Sequence, residues 1–216
     1  LLAGSGGSDL LLGGLGDDSY QVESVGTVIM EHANEGSDSV VSAVNYALSA
    51  NVENLHLLGS AISATGNELA NDLYGNGNDN VLDGGAGIDR MDGWRGNDTY
   101  IVDNAADSVS EYLNEGIDTV ESSVTYTLTA NVENLVLTGA AAIAGSGNSL
   151  NNAITGNTAD NILSGGGGAD TLRGGAGNDS LLGGLGGDTY VYNPGDGNDL
   201  IVEIDSAAGD MDMLVF

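Results

Sequence analysis

The chain has 216 residues, among them 36 glycines, one proline and no cysteine, and its 32 acidic residues face three arginines and no lysine for a formal charge of −29. Such a polyanion has no basic patch to neutralise phosphates, which excludes nucleic acid as a partner and disfavours an anionic membrane surface. No disulfide or thiolate metal site can brace it, and each glycine adds backbone entropy without adding a core side chain, so something else must stabilise a fold.

Residues 1–21 form a first block of nine-residue units. A glycine opens each unit, Asp or Asn stands sixth and an apolar residue eighth; here the units open at Gly4 and Gly13 and place Asp9 and Asp18 sixth. Residues 22–65 lose the strict repeat, but Val40, Ser42, Val44, Tyr46 and Leu48 alternate as a strand does, and Gly36-Ser-Asp38 keeps a decayed trace of the unit. A second block, residues 66–101, opens units at Gly66, Gly75, Gly84 and Gly93, with Asn71, Asn80, Asp89 and Asp98 sixth. Residues 102–146 repeat the earlier interlude: Val120, Ser122, Val124, Tyr126 and Leu128 alternate, and Asp107 keeps the nine-residue phase beyond Asp98. The third block, residues 147–191, opens at Gly147, Gly156, Gly165, Gly174 and Gly183, with Asn152, Asn161, Asp170, Asp179 and Asp188 sixth. Residues 192–216 hold degenerate units, one carrying Asp199 and displaced by two residues, another starting at Gly209 and reaching Asp212.

A larger duplication contains these blocks, since Tyr20 to Asp98 aligns with Tyr100 to Asp188 and the second copy is longer chiefly by one nonapeptide. Adding a whole unit without disturbing the phase suits a stacked architecture better than a closed globule. Each unit begins with turn-formers and ends in a short alternating strand. The eighth residues, Leu11, Tyr20, Leu73, Leu82, Met91, Tyr100, Ile154, Leu163, Leu172, Leu181 and Tyr190, are all apolar or aromatic and would point together into a narrow core. The expected fold is all-β with little or no helix: a right-handed parallel β-roll, a β-solenoid with two nonapeptides per coil, coils about 4.8 Å apart, running as one continuous solenoid through all six segments. Apolar runs are short, so no transmembrane segment is expected, and Leu1 opens without a charged leader, as expected of a piece of a longer chain.

The units nearest to an ideal glycine-aspartate motif are Gly84-Gly-Ala-Gly-Ile-Asp89, Gly165-Gly-Gly-Gly-Ala-Asp170 and Gly174-Gly-Ala-Gly-Asn-Asp179. On these the chain resembles the RTX family, whose glycine-rich nonapeptides form a parallel β-helix that binds Ca²⁺. The resemblance implies several bound Ca²⁺ ions, with backbone carbonyl ligands from Gly84, Ala86, Gly93, Gly165, Gly167, Gly174, Ala176, Gly183 and Leu185. It also implies export by type I secretion machinery and a secreted, extracellular or cell-surface location.

The spacing supports the same chemistry independently. Calcium takes six to eight oxygen ligands and accepts carboxylates and backbone carbonyls alike. With two units per coil, residues eighteen apart stack on one edge, which gives the rungs Asn71 with Asp89, Asn80 with Asp98, Asp89 with Asp107, Asn152 with Asp170, Asn161 with Asp179, and Asp170 with Asp188. Asp9, Asp18 and Asp199 are further candidate ligands. Stacked carboxylates repel, and a divalent cation reverses the sign, so binding and folding should be one event. An asparagine offers only a neutral oxygen, so the four rungs containing one should be weak or empty, or their amides should bond neighbouring turns.

Other chemistry finds little support. His32 and His56 align with Tyr112 and Val136 in the second copy, so neither position requires imidazole. There is no His-Glu-x-x-His or Gly-x-Ser-x-Gly motif, no Gly-Lys-Ser/Thr after a glycine-rich turn, and stacked turns supply no sugar-shaped cleft for a carboxylate pair. The segment itself is therefore not expected to be an enzyme. It reads as a calcium-binding module that folds after export; the alternative is a calcium-stabilised adhesive module binding polysaccharide or another extracellular surface.

Overall fold

The computed structural model describes residues 1–4, 6–203 and 211–216, and all its elements are β-strands. Gly209, the start of the last degenerate unit, lies outside the described residues. Among those described, no helix is long and apolar enough to cross a membrane. The chain divides into two compact units, Leu1–Gly116 and Ile117–Phe216, each a parallel β-solenoid; together they hold about eleven turns.

In the first unit one ladder runs through Leu2–Gly4, Ser19–Val22, Ser39–Ser42, Asn54–Leu57, Asp72–Tyr74, Arg90–Asp92 and Ser108–Ser110. A second joins Tyr46–Ala47, Ser63–Thr65, Val81–Asp83 and Thr99–Val102. In the second unit one ladder joins Thr119–Ser122, Asn134–Leu137, Ala153–Thr155, Thr171–Arg173, Thr189–Val191 and Met213–Val215, and the other joins Tyr126–Thr127, Ala144–Ser146, Ile162–Gly167, Ser180–Leu185 and Leu200–Val202. Partners within the nonapeptide blocks stand eighteen residues apart, as in Leu73 with Met91, Leu82 with Tyr100 and Leu163 with Leu181, so one step along the ladder consumes two units.

Glycine-rich turns keep the strands short. Gly85 and Gly87 adopt φ of +76° and +148°, a region that side-chain-bearing residues avoid, and the chain reverses there after each brief strand. All eleven eighth-position residues are buried, from Leu11 at 8% exposure to Tyr20, Leu82 and Tyr100 at 0%. Each contributes roughly 1.5–3 kcal/mol of burial, but one or two large side chains per strand make a thin core, and this leaves the turn edges to decide whether the coil closes.

The interludes differ from the continuous strand that their alternation predicts. The chain forms Ser39–Ser42, turns a corner, and resumes at Tyr46–Ala47 in the other ladder. The corner is held by Ser42, fully buried, whose hydroxyl donates to the Val44 carbonyl at 2.6 Å and accepts the Val44 N–H at 3.3 Å; Ser122 and Val124 repeat this in the second unit. Alternating polarity cannot distinguish a straight strand from one that changes sheet, because a buried serine satisfying a corner looks like the polar half of an alternation. The interludes also step unevenly: Val40 pairs Tyr20, twenty residues back, and Leu55, fifteen ahead.

Candidate metal centre

The six rungs read from the spacing are adjacent in the structure, joined in a way the spacing did not reveal. In each, the upper Asp turns Oδ1 down to accept the backbone N–H of the residue eighteen positions earlier: Asn71 to Asp89 at 2.8 Å, Asn80 to Asp98 at 2.6 Å, Asp89 to Asp107 at 3.0 Å, Asn152 to Asp170 at 2.7 Å, Asn161 to Asp179 at 2.7 Å and Asp170 to Asp188 at 2.8 Å. Asp199 continues the ladder by accepting the Asp179 N–H at 3.0 Å. One oxygen of every rung carboxylate is thus committed to the backbone.

The other oxygen is where a cation is needed. Oδ2 of Asp9, Asp89, Asp170 and Asp179 is buried and closes no hydrogen bond. Each is aimed at the glycine that opens its own unit: a Cβ on Gly4, Gly84, Gly165 or Gly174 would run into it. At Gly165 a second oxygen converges, the Gly183 carbonyl from the next coil, so that this cradle is lined by a carboxylate oxygen without a hydrogen-bond donor and by a backbone carbonyl. An all-oxygen set suits a hard cation such as Ca²⁺. Leaving a buried carboxylate oxygen without a partner is costly, so the residues present fit the ion that the sequence implies.

Asparagine units solve the same turn differently. Asn71 Oδ1 accepts the N–H of Asn67, and its Nδ2 donates to the carbonyls of Val52 and Glu53, each at 3.1 Å. Asn152 repeats the set with Asn148, Val132 and Glu133. Asn80 and Asn161 likewise accept from Asn76 and Asn157 and donate to the Ala61 and Ile143 carbonyls. The carbonyls of Gly84, Gly93, Gly165 and Gly174 lie over these asparagine turns, next to Asn71, Asn80, Asn152 and Asn161 Oδ1. The second residue of each such unit is also asparagine: Asn67 Nδ2 donates to the Ser49 and Val52 carbonyls and Asn148 Nδ2 to those of Thr129 and Val132.

The electrostatics follow this division. Burial pushes the carboxyls of Asp89 and Asp170 up to about 6; the Asn71 and Asn152 N–H groups pull the other way, and the charges of Asp107 and Asp188 respectively add to the rise. Asp179 is raised mainly by burial, with Asp199 adding to it. Of the remaining carbonyl candidates, Ala86 and Ala176 sit on exposed turns, whereas Gly167 and Leu185 end paired strands, and the Leu185 carbonyl accepts the Gly168 N–H at 2.8 Å. Asp18 accepts no rung partner from the blocks; instead Asp38 Oδ1 accepts its N–H at 2.8 Å. Oxygens of Asp18, Glu31 and Asp38 lie within 4.8 Å of one another, as do those of Asp188, Glu203 and Asp212. The glutamates were missed because they fall outside the nine-residue frame; the available signal was an eighth-position tyrosine, Tyr20 or Tyr190, followed within about a dozen residues by Glu. His56, set aside as a ligand, stacks on Tyr74 with ring centroids 4.3 Å apart.

The family profile of the RTX calcium-binding nonapeptide repeat matches four copies in this chain, over residues 1–20, 65–108 and 155–190. Two proteins of Rhizobium meliloti (strain 1021) are similar to parts of it. Endo-1,3-1,4-beta-glycanase ExsH is 38% identical over 93 residues, covering 43% of this chain and 19% of that protein. Endo-1,3-1,4-beta-glycanase EglC is 38% identical over 84 residues, covering 38% of this chain and 18% of that protein. The chain therefore matches less than a fifth of the length of either relative. With its glycine-opened turns, buried aspartate oxygens and matched repeats together, the chain carries RTX calcium-binding nonapeptide repeats on a parallel β-solenoid.

Proposed function

We propose that this chain is a calcium-triggered folding module of an exported protein. The observation that carries the reading is the set of buried, partnerless Oδ2 atoms of Asp9, Asp89, Asp170 and Asp179, each facing its own glycine. Asp170, stacked under Asp188 and with its Oδ2 near the Gly183 carbonyl, forms the strongest site, Asp89 under Asp107 and Asp179 under Asp199 supply others, and the four rungs whose lower residue is asparagine hold no ion because their amides already do a cation's work. Without calcium the buried charge keeps the coils open, in a chain whose formal charge is −29 and whose core is thin. A chain in that state suits passage through type I secretion machinery, and extracellular calcium modules work at dissociation constants on the order of 10⁻⁴ to 10⁻³ M, so the fold forms outside the cell. The glycanase activity in the relatives' names belongs to those proteins; here the repeats carry no catalysis, and any activity of a longer parent resides in another segment.

Calcium titration of the metal-free chain, followed by circular dichroism with native mass spectrometry counting ions, tests this. Cooperative gain of β-sheet signal together with ion uptake is expected. A chain equally β-rich in excess chelator would overturn it. A glycan array run with and without calcium separates the folding module from an adhesive one: retention of one sugar class would favour adhesion.

A further inference from the structure

The nonapeptide that ends the first block differs from those inside a block. Its eighth residue is Tyr20, and eleven residues later comes Glu31. The strand Val28–Met30 pairs in parallel with Leu10–Leu12, with Met30 opposite Leu12, and this brings Glu31 level with Gly13. Because Gly13 has no side chain, the Tyr20 hydroxyl, Asp18 Oδ2 and Glu31 Oε1 all crowd the place that a Cβ there would take. Asp38 closes the group from the next coil through its Oδ1 bond to the Asp18 N–H. Glu31 is 5% exposed and Asp38 1%. Neither Glu31 oxygen nor the Tyr20 hydroxyl has a partner in good hydrogen-bond geometry, although the Gly13 amide lies close to the Glu31 carboxylate.

Three carboxylates with oxygens within 4.8 Å of one another carry no cationic side chain among them, since the arginines stand at 90, 95 and 173. Burial first, then the charges of Asp38 and Glu35, raises the Glu31 carboxyl above its usual range, and the Gly13 amide offsets only part of the rise. A glutamate inserted beside two aspartates adds repulsion that a bound cation would reverse. We propose that Asp18, Glu31 and Asp38 form a calcium site of a second type, a three-carboxylate site at the end of a nonapeptide block. It rests on the calcium reading above and adds a residue outside the nine-residue repeat. Calcium affinity rises with the number of charged ligands, so this site fills before the aspartate–glycine rungs and pins the block's last coil to the interlude. In the second unit Asp188, Glu203 and Asp212 form a related group, with Tyr190 donating to Glu203; there Glu203 and Asp212 are exposed and the site is correspondingly weaker.

The test compares the full chain with Glu31→Gln by calcium calorimetry and native mass spectrometry. The variant should bind one ion fewer, lose one of its tightest steps, and need severalfold more calcium to reach half its β-sheet signal. An unchanged ion count with an unchanged tight step would overturn the site while leaving the rungs intact, whereas a wild-type chain binding no calcium would overturn the parent reading. If Glu31→Gln does not fold at any calcium level, Glu31→Asp decides: folding at raised calcium supports a carboxylate requirement, and failure of both variants counts against the site.

Discussion

Asn71 and Asp89 occupy the same place in coils one step apart, and they show two ways of closing one turn. Around Asn71 every polar atom of the side chain is used, with the amide oxygen on the Asn67 N–H and the amide nitrogen on two carbonyls. Around Asp89 one oxygen is used and the other is buried without a donor. A single amide group therefore separates a turn whose side chain is fully hydrogen-bonded from one that keeps a buried oxygen without a donor. In both large blocks the two asparagine units come first and the aspartate units follow, so each run of aspartate turns starts from turns whose sixth-position side chains are already hydrogen-bonded.

Removing the metal should act on the aspartate turns more strongly than any substitution. In excess chelator at neutral pH the full chain should lose most of its β-sheet circular dichroism and regain it on adding calcium in excess. Persistence of the aspartate coils without a cation would mean that Oδ2 finds relief elsewhere.

Protons should do part of calcium's work, with a sign that can be worked out. Asp89 and Asp170 are raised to about 6 in the folded chain, above the usual 3.8. Above about pH 6 both folded and unfolded forms are ionised and the full penalty is present. As pH falls from there towards 4, the folded form takes up protons that the unfolded form does not, and its relative stability rises. The metal-free chain should therefore gain β-sheet signal as pH is lowered from 7 to about 4.5, whereas the calcium concentration needed for folding should rise below pH 6, because protons and metal compete for the same oxygens. A metal-free chain insensitive to pH in this window would show that the aspartate edge is not what keeps it open.

Exchanging the two residues sets amide against carboxylate on one backbone. Asn71→Asp would set a carboxylate against the Val52 and Glu53 carbonyls, at a cost on the order of 1–3 kcal/mol or more for the charge, read from urea unfolding in saturating calcium. Asp89→Asn should bind fewer ions yet need less calcium to fold, since it removes a buried charge. Equal behaviour of both exchanges would mean that the coils do not differ in their need for metal.

Much of this edge was open to reading. The eleven glycine-opened units placed the strands, the eighth-position core and all six rungs, because a period of nine residues and a ladder step of eighteen leave no freedom in register. What periodicity does not carry is the direction of a side-chain oxygen: that Oδ1 goes to the coil below and Oδ2 to its own glycine depends on backbone donors in three dimensions. The asparagine network did have a written signal, Gly-Asn-x-x-x-Asn at Gly66, Gly75, Gly147 and Gly156, which looks like simple decay when only the sixth position is compared. Glu31 lies where the repeat has lapsed, and only the pairing of Val28–Met30 with Leu10–Leu12 returns it to Gly13.

The smallest expected effect tests whether the two kinds of turn share one backbone. Gly77 is third in its asparagine unit, its φ lies outside the left-handed region, and a Cβ built there meets nothing within 4 Å. The third place is held by Glu68 in the unit before and by Ala86 in the aspartate unit after, so both kinds of turn already admit a side chain at it. Gly77→Ala should therefore raise stability by about 0.4–1 kcal/mol through the lost freedom of the unfolded chain, with ion count and calcium midpoint for the rungs unchanged, as read by urea unfolding and titration. A loss of stability would show that the asparagine turn needs a backbone the aspartate turn does not, and the difference between the coils would then lie in the main chain as well as in one amide.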